Sequence, residues 1–239
     1  MKAFAKVLPG DAIIRLQCVI IIVVAVVFSA LLGTRFFSVA NFQSIGSQLP
    51  ILGMLALGMG MTMLTGGINL SIIAGANACS LVMAAVIVSH PDNPLFLVLA
   101  LLAGAAVAVA IGTLNGALIA WVGVSPILAT LGTMTLISGL NILLSNGTVI
   151  SGFPAAIQYL GNATLAGIPV ALLLFILVAV LLWVLLEHTT LGRSLYLMGS
   201  NEQATRYSGV NTVRVQISVY VISALLGWAA AILMMAKFN

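Results

Sequence analysis

Of 239 residues, 62% are hydrophobic and 5% charged, with a mean hydropathy of +1.28, leaving too few polar side chains to clothe a water-soluble globule. Asp11, Asp92, Glu187 and Glu202 stand against Lys2, Lys6, Arg15, Arg35, Arg193, Arg206, Arg214 and Lys237. The net charge of +4 forms no basic stripe, which excludes a nucleic-acid surface, and the scattered acids make no catalytic or metal cluster.

The chain reads as an all-α, polytopic membrane protein with one transmembrane domain over 1–239. A span needs about 20 mostly apolar residues. That rule predicts helices at 12–33, 49–65, 71–89, 95–122, 126–145, 168–187 and 215–236. The first apolar run exceeds the roughly 7–15 residues of a signal peptide's core and is read as a retained span. Cys18 and Cys79 lie in apolar runs and act there as small hydrophobes. The C-terminus after the last span reads as incomplete.

Cytoplasmic flanks favour Lys and Arg. Lys2, Lys6 and Arg15 therefore set the N-terminus in the cytoplasm, and six crossings return the chain to that side at residue 188, where Arg193, Arg206 and Arg214 follow. SHPDNP at 89–94 and the segment 146–167 fall outside, and VGVSP at 122–126 falls inside.

Between the second and third spans lies TGGINLS, Thr65 to Ser71. Unwound backbone inside a bilayer survives only where protein buries it or water reaches it. Gly66 and Gly67 relax the chain, while Asn69 and Ser71 can cap the helix that follows. Two readings fit: a discontinuous helix that offers polar groups to a solute, or a tight turn at the membrane surface.

The fifth span carries a polar stripe. At about 100° per residue, Thr130, Thr133 and Asn141 fall within roughly 80° of one another, with Ser138 beside them. Such a stripe suits a hydroxyl-rich solute, and equally suits helix–helix hydrogen bonding. Gly112 and Gly116 form a small-xxx-small pair that favours packing, with Asn115 free to face either way. No ionisable residue falls in a span centre, so no proton relay is expected, and His90 and His188 read as interfacial. No phosphate-binding loop is present, so any nucleotide-driven transport needs an ATPase on another chain.

The longest polar stretch runs from His188 to Arg214. Ser200 followed by Gln203 has capping-box spacing, and Gly209 is a C-terminal stop, which predicts a helix over 201–208. Two turns are too short to stand alone in water, so this helix docks on its own bundle or on a partner.

TGGINLS, GTLNGALIAWVGVSPILATLGTMTLISGL, ISGFP and TTLGRSLYLMGSNEQATRYSGVNTVRVQISVYVISALL occur in one order and spacing. Together they resemble the permease subunits of ribose-type, simple-sugar ABC importers of bacteria, over roughly residues 40–239. The resemblance implies a transport subunit that is not itself an enzyme, sits in the inner membrane and moves a monosaccharide or similar polyol. Its implied partners are a second permease, a cytoplasmic ABC ATPase dimer that holds ATP and Mg, and a periplasmic sugar-binding protein. It implies a sugar path along Thr65, Gly66, Gly67, Asn69 and Ser71, to which the polar residues Asn115, Thr130, Thr133 and Asn141 are added. It implies coupling to the ATPase through Gly192, Arg193, Gly199, Asn201, Glu202, Ala204, Ser208 and Gly209, with Ser200 as the neighbouring cap. Two positions depart: the family usually has aspartate where this chain has Asn69, and Val-Gly where it has Ile72-Ile73. The competing classes are a facilitator or secondary transporter working alone, a membrane-embedded enzyme and a structural membrane subunit.

Overall fold

The computed structural model describes residues 10–90, 93–148 and 150–237. Lys2, Lys6 and Asp92 lie outside them. Two compact units divide the chain, Met1–Ile45 and Gly46–Asn239, and each is taken by itself. Among the described residues, seven helices are long and apolar enough to cross a membrane.

The first unit contains α1 (Gly10–Leu32), a 3-10 turn at Gly33–Arg35 and the start of α2 (Val39–Met63). Asn41 Nδ2 donates to the Phe36 carbonyl at 2.8 Å, and the Ser38 hydroxyl caps α2 by accepting from Asn41 N–H.

In the second unit follow α3 (Ile72–Ser89), α4 (Pro94–Ala120), α5 (Pro126–Ser145), α6 (Ala155–Asn162), β1 (Thr164–Leu165), β2 (Ile168–Pro169), α7 (Val170–His188), α8 (Thr190–Ser200), α9 (Glu202–Tyr207) and α10 (Thr212–Lys237). α5 matches its predicted span because Ser125-Pro126 starts it and Asn146, left-handed at φ 50°, stops it. Three expectations are corrected. α2 begins ten residues before the predicted 49, its first turns being polar and its helix running through Pro50. The segment 146–167 holds α6 and enters an antiparallel hairpin that pairs Thr164 with Pro169. The segment 188–214 contains α8, which carries its buried residues Gly192, Leu195 and Met198 at i, i+3 and i+6 on one face.

α10 is the central helix, with Val219, Tyr220, Ala230 and Ala231 fully buried. α4 lies against it through Gly104, Ala108, Gly112 and Gly116. A Cβ added to Gly112 would stand 2.6 Å from Val221 Cα, and one on Gly116 would stand 2.6 Å from Ile217 Cα. The small-xxx-small pair is thus a helix-packing seam, in which dispersion between close backbones replaces the absent hydrophobic drive. Cys79 is a buried member of the same core, while Cys18 is exposed.

The connections segregate by end. Thr65, Gly123 to Pro126 and Asn211 share one end with Glu202 and Arg206, while His90, Asn93 and Pro154 meet at the other. The first, flanked by Arg206 and Arg214, is the basic end.

Candidate translocation and coupling site

TGGINLS opens as a helix stop. Gly66, at φ +77°, is the left-handed residue after α2. Gly67 N–H donates to the Thr62 carbonyl and Gly66 N–H to the Met63 carbonyl, both at 3.0 Å, the paired bonds of a Schellman motif. Gly67 then passes beneath Tyr220, whose hydroxyl would stand 2.5 Å from any Cβ placed there.

The next residues leave helical hydrogen bonding, and neighbouring helices supply the partners. Thr130 of α5 donates its hydroxyl to the Ile68 carbonyl at 3.0 Å. Asn69 Nδ2 donates to Ser223 Oγ of α10 at 2.9 Å, and its Oδ1 accepts from Ser71 N–H at 3.1 Å and Ser71 Oγ at 2.8 Å. Asn115 Nδ2 of α4 donates to Ser71 Oγ at 2.8 Å. Ser71 occupies the N-cap position of α3, yet its hydroxyl makes no cap bond, since Asn69 takes it. The 11 residue steps from Thr212 to Ser223 correspond to about 16 Å of helix at about 1.5 Å per residue. The break therefore climbs from the basic end well into the bundle, and α3 starts there.

The sequence-derived path residues fall into three groups. Asn69, Ser71, Asn115 and Thr130 are brought together in the buried network, and Thr133 is buried one turn further, bonded to the Ala129 carbonyl. Thr65 and Gly66 line a cavity of about 900 Å³ at the basic end, together with Ser125, Glu202, Arg206 and Gln216. Gln216 is 5% exposed and its Oε1 has no partner among the described residues, so this wall offers an unengaged acceptor. Asn141 sits elsewhere, donating to the Ala74 carbonyl at 3.0 Å and lining a separate cleft between α3, α5 and α10.

The residues for which the resemblance implies coupling sit on α8, on α9 and in the turns that bound them. Thr189 caps α8 by accepting from Gly192 N–H at 3.2 Å. Gly192 is buried against the Leu186 carbonyl, and Gly199 lies against the Leu64 carbonyl, in each case so closely that only glycine fits. The predicted Ser200–Gln203 box is corrected: Ser200 ends α8, and Asn201 caps α9 by accepting from Ala204 N–H at 3.0 Å. The reason is geometric, because Asn201 has the extended backbone a cap requires while Ser200 is still helical. Gly209, at φ +83°, stops α9 with a second Schellman pair, Gly209 N–H to Arg206 and Val210 N–H to Thr205. Buried Thr205 anchors α9, while Arg193, Glu202, Ala204 and Ser208 face outward. Tyr207, 92% exposed, adds an aromatic knob to this surface that sequence reasoning missed; a tyrosine between two polar caps was its signal. Ser223 was missed too, for it reads as one small residue in an apolar helix.

A family model described as the permease component of the branched-chain amino acid transport system matches residues 41–239. The ribose import permease protein RbsC of Bacillus subtilis (strain 168) is 34% identical over 218 residues, covering 90% of this chain and 66% of that protein. The autoinducer 2 import system permease protein LsrD of Yersinia enterocolitica is 33% identical over 199 residues, 81% of this chain and 59% of its own. RbsC of Escherichia coli (strain K12) is 33% identical over 227 residues, 93% of this chain and 70% of that protein. The chain thus spans about two thirds or less of the length of the first two relatives. No solved structure matches it. With a family match that takes in the break, the polar network and the α8–α9 segment, this chain belongs to the family of transport-system permease components described for branched-chain amino acids.

Proposed function

We propose that the chain is the transmembrane subunit of an ATP-binding-cassette importer that moves a monosaccharide or similar polyol across the bacterial inner membrane, its N-terminus in the cytoplasm. It works beside a second permease, receives solute from a periplasmic sugar-binding protein, and is driven by a cytoplasmic ATPase dimer that holds ATP and Mg. The chain makes and breaks no bonds of its own. One observation carries the reading: Gly199, in the exposed α8–α9 segment, rests on the Leu64 carbonyl at the very turn that opens into the break.

A force on α9 from a partner is thereby delivered to α2 and the break without an intervening flexible linker. Arg193, Asn201, Glu202, Ala204 and Ser208, with Tyr207 projecting among them, form the surface that takes this force. Glu202 and Arg206 reach the basic-end cavity as well, so movement of α9 changes the cavity that a solute leaves by. The similarity to ribose and autoinducer 2 import permeases supports a hydroxyl-rich cargo.

The test is co-purification. The tagged chain, mildly solubilised from its native host, is expected to bring a stoichiometric ATPase with a phosphate-binding loop, and to lose it when 199–209 is replaced by a flexible linker. Glu202→Ala and Arg193→Ala are expected to fold normally and to lower solute-stimulated ATP hydrolysis. An intact chain that recovers no ATPase, or variants with undiminished stimulation, would refute the assignment.

A further inference from the structure

We propose that the cleft between α3, α5 and α10, away from the basic end, is a subsite for a neutral polyhydroxylated solute, with Asn77 and Asn141 as its recognising amides. The cleft has a volume of about 460 Å³, within the roughly 300–1,000 Å³ usual for small-molecule sites. Asn77 lies five residues into α3, is exposed, and has no hydrogen-bond partner among the described residues. A carboxamide left open to hydrocarbon is costly, so its position argues for water or a polar ligand in the cleft. Asn141 spends Nδ2 on the Ala74 carbonyl and keeps Oδ1 as an acceptor. Thr148 donates to the Ser145 carbonyl at 2.6 Å and retains acceptor capacity on its own oxygen.

Phe153 and Met234 add apolar lining to the same cleft. Amides and hydroxyls combined with apolar surface match a sugar, which presents hydroxyls at its rim and C–H groups on its faces. Among the described residues, no ionisable side chain lines the cleft. An amino acid there would find no side chain of opposite charge for its ammonium or its carboxylate among the lining residues. The cleft therefore discriminates against the substrate in the family's description and in favour of neutral polyols. The cleft and the basic-end cavity have no lining residue in common, and the Asn69–Ser71–Asn115–Ser223 network is buried in the bundle apart from both, which makes the cleft a second waypoint for the solute.

Calling it a waypoint rests on the importer reading; binding itself requires no ATPase. The full chain, purified in nanodiscs, is tested by equilibrium dialysis with radiolabelled D-ribose and with L-leucine as competitor. Saturable D-ribose binding, unaffected by L-leucine and weakened at least tenfold in Asn77→Leu, is expected. Asn77 bonds no other described residue, so this variant should melt as wild type does, and Thr148→Val gives a second, smaller reduction independent of it. The subsite is overturned by absent D-ribose binding, by competition from L-leucine, by unchanged binding in both variants, or by Asn77→Leu splitting a dimer without affecting D-ribose. A chain that binds D-ribose yet recovers no ATPase would instead refute the importer reading and leave the subsite standing.

Discussion

Replacing Asn69 with alanine removes the group on which the break is fastened. Three hydrogen bonds go with it, to Ser71 N–H, Ser71 Oγ and Ser223 Oγ, at a side chain only 2% exposed. Side-chain hydrogen bonds within membranes average about 0.6 kcal/mol, so the two bonds to Ser71 Oγ and Ser223 Oγ together contribute about 1 kcal/mol. Loss of the third leaves Ser71 N–H buried without a partner, which costs about 1–3 kcal/mol. The expected loss is therefore about 2–4 kcal/mol. Ser223→Ala leaves only Asn69 Nδ2 unpaired and is expected to cost about 1 kcal/mol. Unfolding by SDS in mixed micelles, followed by tryptophan fluorescence, measures each variant, and the double mutant isolates the Asn69–Ser223 bond with a coupling of about 0.6–1.7 kcal/mol. A loss below about 0.5 kcal/mol for Asn69→Ala, or zero coupling in the cycle, would refute the claim that this network holds the break.

Other substitutions separate packing, backbone and capping. Gly112→Ala drives a Cβ to 2.6 Å from Val221 Cα, where backbone faces backbone; the α4–α10 seam should open at a cost of about 1–3 kcal/mol in the same assay. Gly66→Ala meets open space but keeps φ at +77°, so it should cost only the left-handed penalty of about 1–2 kcal/mol, whereas Gly60→Ala inside α2 should be neutral or stabilising. Asn201→Ala removes the α9 cap, worth about 1 kcal/mol; hydrogen exchange should rise across 202–207 while global unfolding stays unchanged. Gly199→Ala should displace α8 from the Leu64 carbonyl, and in the assembled transporter should lower solute-stimulated ATP hydrolysis while basal hydrolysis persists.

How much was legible follows from where each signal is written. Spans bounded by local chemistry were readable: Ser125-Pro126 and Asn146 fix α5, and Gly66 and Gly209 mark their stops. α2 was misjudged because hydropathy marks the apolar stretch, while the helix itself continues through Asn41, Gln43 and Gln48. α8 was missed because its glycines and serines read as loop, although Leu195 and Met198 lie one helical turn apart. The site was legible in its residue types alone. Asn69 meets Ser223 across 154 residues and Asn115 meets Ser71 across 44, and nothing local distinguishes a polar group that seals a path from one that lines it.

Three glycines with positive φ meet at the basic-end cavity: Gly66 at +77°, Gly123 at +78° and Gly209 at +83°. Each reverses the chain at the end of a different helix, α2, α4 or α9, so the cavity is walled largely by caps and turns instead of helix flanks. Turns of this kind absorb changes of φ and ψ with few packed contacts disturbed, as hinges do. Deeper in the bundle the order is reversed: the break is bonded to α4, α5 and α10, and Gly112 and Gly116 lock α4 on α10 with no space to slide. On the proposed coupling role, a push on α9 would reach the turns first and the network only after them. Glycine at 199 fits the same arrangement, because a Cβ there would collide with the Leu64 carbonyl. Any larger residue would hold α8 off the Leu64 carbonyl, and the close backbone contact between this exposed segment and the turn before the break would be lost.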